Sequence, residues 1–169
     1  MKEEALHKAF DWIDAHKDEA IQDLQRLCRQ PSISAQKVGL EECADLVVDI
    51  MKESGLEGKA YPLNGGPPCV IGLEPSSQNE KVLLGYAHYD VQPPEPLEKW
   101  NDPPFSAVVK EGRLWARGAT DNKSGVMAFI LAAKAFKETV GELPVGVRFL
   151  FEGEEEIGSP HLGEFVKAN

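Results

Sequence analysis

Three consecutive glutamates, Glu154, Glu155 and Glu156, directly follow an apolar segment, residues 145–151, that is typical of a buried strand. A run of like charges most often lies on a solvated surface or in the first turn of a helix, where the macrodipole favours negative charge. Carboxylates can also bind a metal ion or act as a general base. Other segments must therefore show whether chemical partners reach the same place.

Two further segments carry such partners. His88 and Asp90 come directly after an apolar run at residues 81–87, and Asp121 stands just before an apolar helical pattern. In open α/β sheets, sites form beyond the carboxyl ends of the strands, so these side chains could meet the glutamates at one edge of a sheet. Each has an ordinary explanation alone, because a single histidine is usually a surface or core residue and an aspartate before a helix is usually its N-cap.

Helices and strands that would position these residues alternate along the chain. Helical periodicity covers residues 2–29, as one helix or as two with a break near residues 16–17, and it returns at residues 40–54. Ser159 with Pro160 predicts the N-cap and first turn of a last helix. The other predicted elements are an apolar helix at residues 123–139, a hairpin that turns at Glu111–Gly112, and strands at residues 59–63, 69–74, 81–87 and 145–151.

The fold class follows from this alternation. Helices that alternate with buried strands predict an α/β fold with a mostly parallel central sheet flanked by helices. The nearly continuous apolar run at residues 81–87 further predicts a strand that is covered on both faces.

Composition bounds the possible partners. The 169 residues suggest about one domain, and the formal net charge of −10 argues against nucleic acid or an anionic membrane as a partner. Three widely spaced cysteines, Cys28, Cys43 and Cys69, argue against a disulfide framework and against a cysteine-based zinc site. The charged N-terminus has no apolar signal segment and no run reaches the length of a membrane span, so a cytoplasmic protein is expected.

Three stretches in succession resemble the motifs of one enzyme family. They are "GYAHYDVQP", "WNDPPFSAVVKEGRLWARGATDNKSG" and "FEGEEEIGS". The family is that of the two-metal exopeptidases and deacylases, with glutamate carboxypeptidase, acetylornithine deacetylase, succinyl-diaminopimelate desuccinylase and the carnosinase-type dipeptidases. The resemblance spans nearly the whole chain, and residues 100–105 together with "HYDVQP" are more similar to the dipeptidase branch.

This resemblance implies a role for each candidate residue. His88 would bind one divalent metal ion, Glu156 the second, and Asp121 would bridge both. Zinc is the expected metal, with manganese or cobalt in some relatives. Asp90 would accept a hydrogen bond from the other ring nitrogen of the histidine and set its tautomer. Glu155 would be the general base that deprotonates the metal-bridging water.

Glu154 has no role in the family pattern, and we expect it to be either exposed to solvent or hydrogen-bonded near the metal ligands. A different register, with Glu154 as base and Glu155 as ligand, matches the "EEIGS" ending less well. The resemblance also implies a cis peptide bond after the bridging aspartate, at Asp121–Asn122.

The implied reaction is hydrolysis of a dipeptide or short peptide. An N-acyl-amino-acid deacylase of the same family and an inactive module that only binds a partner are the alternatives. The family needs two more metal ligands and a dimerisation domain, which would lie beyond Asn169. Residues 1–169 are therefore expected to be the N-terminal part of a catalytic domain, homodimeric when full length, which by itself binds metal weakly and is inactive.

Overall fold

The computed structural model describes residues 2–77 and 80–169. Its helices are α1 (Lys2–Ala15), α2 (Lys17–Arg29), α3 (Leu40–Glu53), α4 (Ser124–Val140) and α5 (Leu162–Ala168). Its strands are β1 (Gly58–Tyr61), β2 (Cys69–Glu74), β3 (Val82–His88), β4 (Val108–Lys110), β5 (Arg113–Trp115) and β6 (Gly146–Glu152). No helix among the described residues is both long and apolar enough to cross a membrane.

The α/β class is confirmed, but the expectation of a mostly parallel sheet is wrong. The main sheet has the order β1-β2-β6-β3, in which β3 and β6 run parallel while β1 and β2, and β2 and β6, are antiparallel. A parallel pair needs a long crossover, and α4 provides it between β3 and β6. The turn between β1 and β2, residues 62–68, is too short for a crossover, so β2 returns antiparallel.

Most of the predicted boundaries are confirmed. The first helical region is broken at His16, and a tight turn joins β4 to β5 with Glu111 and Gly112 both at positive φ (54° and 73°), as a two-residue hairpin loop requires. The predicted start of the last helix is wrong. Helix α5 begins at Leu162, because Ser159 adopts a positive φ of 50° that is incompatible with a helical first turn.

The core lies between the sheet and helices α3 and α4. Phe149 and Phe151 of β6 stack on each other and meet Phe129 of α4. The cysteines are all free and buried, in agreement with the expectation that they form no disulfide framework. Burial raises the pKa of the Cys28 thiol to about 11 and that of Cys69 to about 12.

Strand β3 is only partly covered, which corrects the expectation of burial on both faces. Its first residues, Val82, Leu83 and Leu84, are 56–59% exposed, whereas Ala87 and His88 are buried. The reason is that β3 is the edge strand of the described sheet, with β6 on one side. Only its carboxyl end, where the candidate side chains lie, is enclosed.

Candidate metal centre

Three distant segments meet at the carboxyl ends of the parallel strands. His88 is the last residue of β3 and is paired in register with Glu152, the last residue of β6. Asp121 comes from the turn that precedes α4, and Glu156 from the loop that follows β6. The parallel pairing places both strand ends at the same edge of the sheet, as the sequence indicated.

His88, Asp121 and Glu156 form a cluster of the kind that binds metal ions. Each of these side chains offers one ligand atom, and these atoms lie within 4.8 Å of one another. Nε2 of His88 is 3.1 Å from Oδ1 of Asp121. One imidazole nitrogen with carboxylate oxygens is a donor set that fits zinc, manganese or cobalt. The peptide bond Asp121–Asn122 is cis, as the resemblance implied.

Asp90 connects the histidine to the glutamate loop. Its carboxylate is fully buried, and Nδ1 of His88 lies 3.2 Å from Oδ1 and 3.2 Å from the Asp90 backbone oxygen. The two carboxylate oxygens also accept the backbone N–H groups of Glu155 and Glu156, each at 3.1 Å. A single buried side chain therefore orients the imidazole, so that Nε2 faces Asp121, and places the loop that carries both glutamates.

The charge on His88 is set by these surroundings. Burial of the ring opposes its protonation, but the hydrogen bond that the ring donates to Asp90 and the charges of Asp90 and Glu155 outweigh this effect and raise the pKa of His88 to about 9. The pocket around the imidazole is therefore strongly favourable to positive charge. A cation at Nε2 would face Asp121 and Glu155, whereas Asp90 lies on the Nδ1 side of the ring.

Glu155 faces the same opening. One of its carboxylate oxygens lies 3.5 Å from Nε2 of His88, and the side chain is 45% exposed. Unlike Asp90, it is accessible to water and to a ligand that enters the cluster. Accessibility beside a cation site is what a general base for an attacking water requires.

Of the two expectations for Glu154, exposure to solvent is wrong. It is buried, with 1% of its surface accessible, and its Oε1 accepts the backbone N–H of His161 at 2.7 Å. Oε2 lies 2.9 Å from Nδ1 of the same residue. The carboxylate is thus paired with His161, and its burial disfavours the register in which Glu154 would act as the base.

Sequence reasoning missed two polar residues beside the cluster. The amide Nε2 of Gln92 donates to the backbone oxygen and to Oε2 of Glu156, both at 2.9 Å. Glu152 is fully buried and accepts hydrogen bonds from Tyr86 Oη (2.5 Å) and Ser159 Oγ (2.9 Å). Both lie within stretches that carry the resemblance, "HYDVQP" and "FEGEEEIGS", which was the available signal.

Comparison with known proteins agrees with this geometry. The sequence model of peptidase family M20/M25/M40 matches residues 84–168, which is half of the chain and includes every candidate residue described above. The chain therefore belongs to this peptidase family.

Individual relatives cover nearly all of the chain. The chain is 34% identical to the Cys-Gly metallodipeptidase dug1 of Schizosaccharomyces pombe over 97% of the chain's own length. It resembles the crystal structure of human carnosine dipeptidase 1 with a TM-score of 0.86 and 31% identity over 96% of the chain. The M20 family metallo-carboxypeptidase Sso-CP2 of Sulfolobus solfataricus gives a TM-score of 0.82 with 36% identity over 89% of the chain.

These relatives are much longer. The chain covers 37% of the yeast dipeptidase, 38% of the human structure and 34% of the Sulfolobus structure.

Proposed function

We propose that this chain is the metal-binding part of a peptidase that hydrolyses the amide bond of dipeptides or short peptides. The observation that carries the proposal is the cluster of His88, Asp121 and Glu156, with ligand atoms within 4.8 Å and with Glu155 beside the same imidazole. Relatives over nearly the whole chain are named as dipeptidases for Cys-Gly and for carnosine, which favours a dipeptide as the substrate.

Two divalent metal ions are part of the proposal, zinc first and manganese or cobalt as alternatives. His88 would hold one, Glu156 the other, and Asp121 both. When bound, such ions lower the pKa of water toward neutrality and polarise a carbonyl group. Asp90 would act through His88 by holding the ring with its other nitrogen directed to the ligand position.

Glu155 would perform the proton transfers. It accepts a proton from the attacking water as the water oxygen forms a bond to the peptide carbonyl carbon. It then donates that proton to the amide nitrogen as the C–N bond breaks, and an amino acid with a free amine leaves. Its exposed position beside the cluster supports this role, because a base must reach both the water and the leaving group.

The domain assignment is part of the same proposal. Residues 1–169 would form the N-terminal part of the catalytic domain, and the remaining metal ligands and a dimerisation domain would lie outside them. We propose a cytoplasmic homodimer for the complete protein. The 169 residues alone would bind metal weakly, because each metal ion would have only two protein ligands where zinc sites need at least three.

Hydrolysis assays with the complete protein test the reaction. Cys-Gly and β-Ala-His should be cleaved in a chelator-sensitive manner, with activity restored by zinc, manganese or cobalt. N-acetyl and N-succinyl amino acids should be poor substrates. Turnover of the N-acyl compounds alone would identify a deacylase instead. Metal-free protein by elemental analysis, without hydrolysis of either substrate class, would favour a module that only binds a partner.

A further inference from the structure

Glu154, a buried acidic group directly before Glu155, has no part in the proposed reaction. Glu154 is 1% exposed although it belongs to a strongly acidic segment, with Glu152 two residues before it and Glu155 directly after it. Burying a carboxylate costs free energy unless charged or hydrogen-bonded partners compensate. Here the compensation comes from His161, through its backbone N–H at 2.7 Å and its Nδ1 at 2.9 Å.

The pairing of Glu154 with His161 closes a loop that Asp90 also holds. Glu154 is in the loop after β6, and His161 immediately precedes α5, so their contact joins the two ends of the segment that carries Glu155 and Glu156. Asp90 holds the backbone of the same two glutamates through their N–H groups. Two buried carboxylates, Asp90 and Glu154, therefore hold the segment.

The connection between β1 and β2 covers this pair closely. A Cβ atom on Gly66 would lie 2.8 Å from Nδ1 of His161 and 3.0 Å from Oε2 of Glu154. The absence of a side chain at Gly66 lets the backbone lie against both groups, and Glu154 is enclosed while His161 stays partly exposed.

Among three consecutive glutamates, more than one adjacent pair could supply the base and the ligand of a metal centre. We infer that Glu154 and His161 form a clasp, defined by these two residues, that withdraws Glu154 from the cluster and directs Glu155 and Glu156 toward His88 and Asp121. Both members of the clasp are positioning residues. The inference rests on the proposed function for the roles of the two directed glutamates.

The test compares the complete protein with its Glu154→Ala, Glu154→Gln and His161→Ala variants. The matched control is Glu164→Ala, which removes an exposed glutamate from α5. Cobalt is titrated into the metal-free protein at a temperature below its unfolding midpoint. Binding is followed by visible absorption. Removing residues that orient metal ligands typically costs 10–100-fold in metal affinity. We expect such a loss, with an altered cobalt spectrum, in both alanine variants.

The conservative variant should restore the site. In Glu154→Gln the side-chain oxygen would still accept the backbone N–H of His161, and the side-chain NH2 would donate to Nδ1. Both contacts of the clasp would remain, so this variant and the control should bind cobalt as the wild type does. Amide hydrogen exchange gives a readout without metal: the N–H groups of Glu155 and Glu156 should exchange faster in Glu154→Ala, while those of β6 do not. His161→Ala keeps the backbone N–H contact, so it tests the clasp by cobalt binding even if Glu154→Ala does not fold.

The outcomes separate the clasp from the function. Wild-type cobalt affinity and unchanged amide exchange in the alanine variants, with at most a lower melting temperature, would overturn the clasp alone. A wild-type protein that binds no cobalt would overturn the proposed metal centre and the inference with it.

Discussion

At the scale of single residues, Asp90 has the contacts on which the arrangement of the centre depends. It is fully buried, touches the Nδ1 side of His88, and accepts the N–H groups of two successive glutamates. Because it is enclosed, it can affect chemistry only through the groups that it holds. Glu155, by contrast, is exposed and can contact water directly.

Replacing Glu155 by alanine should separate proton transfer from metal binding. In the complete protein we expect metal content to stay near two ions per chain while turnover falls by at least about 100-fold, since loss of a general base typically costs about 10²–10⁴. Elemental analysis and steady-state hydrolysis of Cys-Gly measure the two effects. Metal loss in this variant, with metal retained in Glu156→Ala, would reverse the roles of these residues.

Glu152 gives a prediction about pH. Burial raises its pKa above the ordinary value of 4.5, although hydrogen bonds from Tyr86 and Ser159 lower it. The folded state thus holds the proton more tightly than the unfolded state, so this group contributes stability below pH 4.5 that is lost as pH rises through the raised pKa. Its Oε2 also has no hydrogen-bond partner among the described residues.

The Glu152→Gln variant should therefore melt above the wild type at pH 8, with a difference that shrinks toward pH 4. A rise of a few degrees is expected, because about 1 kcal/mol shifts the midpoint of a chain of this size by about 2–4 °C. Thermal melts across this pH range check it, with Glu164→Gln as the exposed control. A variant that is less stable at pH 8 would contradict the prediction.

At the scale of elements, the junction between β6 and the glutamate loop is set by close packing. Gly153 lies directly against the buried Tyr89, whose hydroxyl donates to the Pro68 backbone oxygen at 2.6 Å. Tyr89 follows β3 directly, and its backbone N–H donates to the backbone oxygen of Glu152, the last residue of β6, at 2.8 Å. The junction leaves no room for a side chain at residue 153.

A matched pair of glycine substitutions tests this packing. A Cβ on Gly153 would lie 2.4 Å from the Tyr89 ring, so Gly153→Ala should lower the free energy of unfolding by about 1–3 kcal/mol, as overpacking usually does. At Gly163, in α5, a Cβ would meet none of the described residues within 4 Å, and Gly163→Ala should be neutral or stabilising by up to about 1 kcal/mol. Urea unfolding measures both, and equal stability of the two variants would contradict the packing described here.

At the scale of the whole molecule, one side of the main sheet exposes an apolar edge. Leu83 and Leu84 of β3 are 56% and 58% exposed, and Tyr86 is 41% exposed. Edge strands with exposed apolar residues tend to pair with other chains. The buried carboxyl end of the same strand carries His88, so the exposed edge and the candidate centre lie on one element.

We expect the 169-residue chain, prepared alone, to self-associate through this edge. Leu84→Lys should shift the population toward monomer, because a charged residue disfavours pairing at an edge strand. Val109→Lys, in the separate β4–β5 hairpin, is the matched control, since Val109 is also 45% exposed. Sedimentation at several concentrations measures the effect. A wild-type chain that stays monomeric at every concentration would show that this edge does not mediate self-association.

The sequence alone determined which residues gather at the sheet edge. Apolar runs located the strands, and His88, Asp121 and the glutamates follow them or precede a helix, so their convergence could be predicted from the general geometry of α/β sheets. The order and spacing of the three motifs identified the family, which the comparison confirmed. These features are local in sequence, and local patterns report them well.

Only the tertiary structure decided the sheet directions, the exposure of β3 and the burial of Glu154. An apolar run shows that a strand is buried somewhere, but it does not show which strands lie beside it or on which side the sheet ends. Likewise, a run of three glutamates has the pattern of a solvated segment, whereas the fold encloses Glu154 between Gly66 and His161. The exposure of a charged side chain depends on which sequence-distant segments pack against it, and local periodicity gives no information about those contacts.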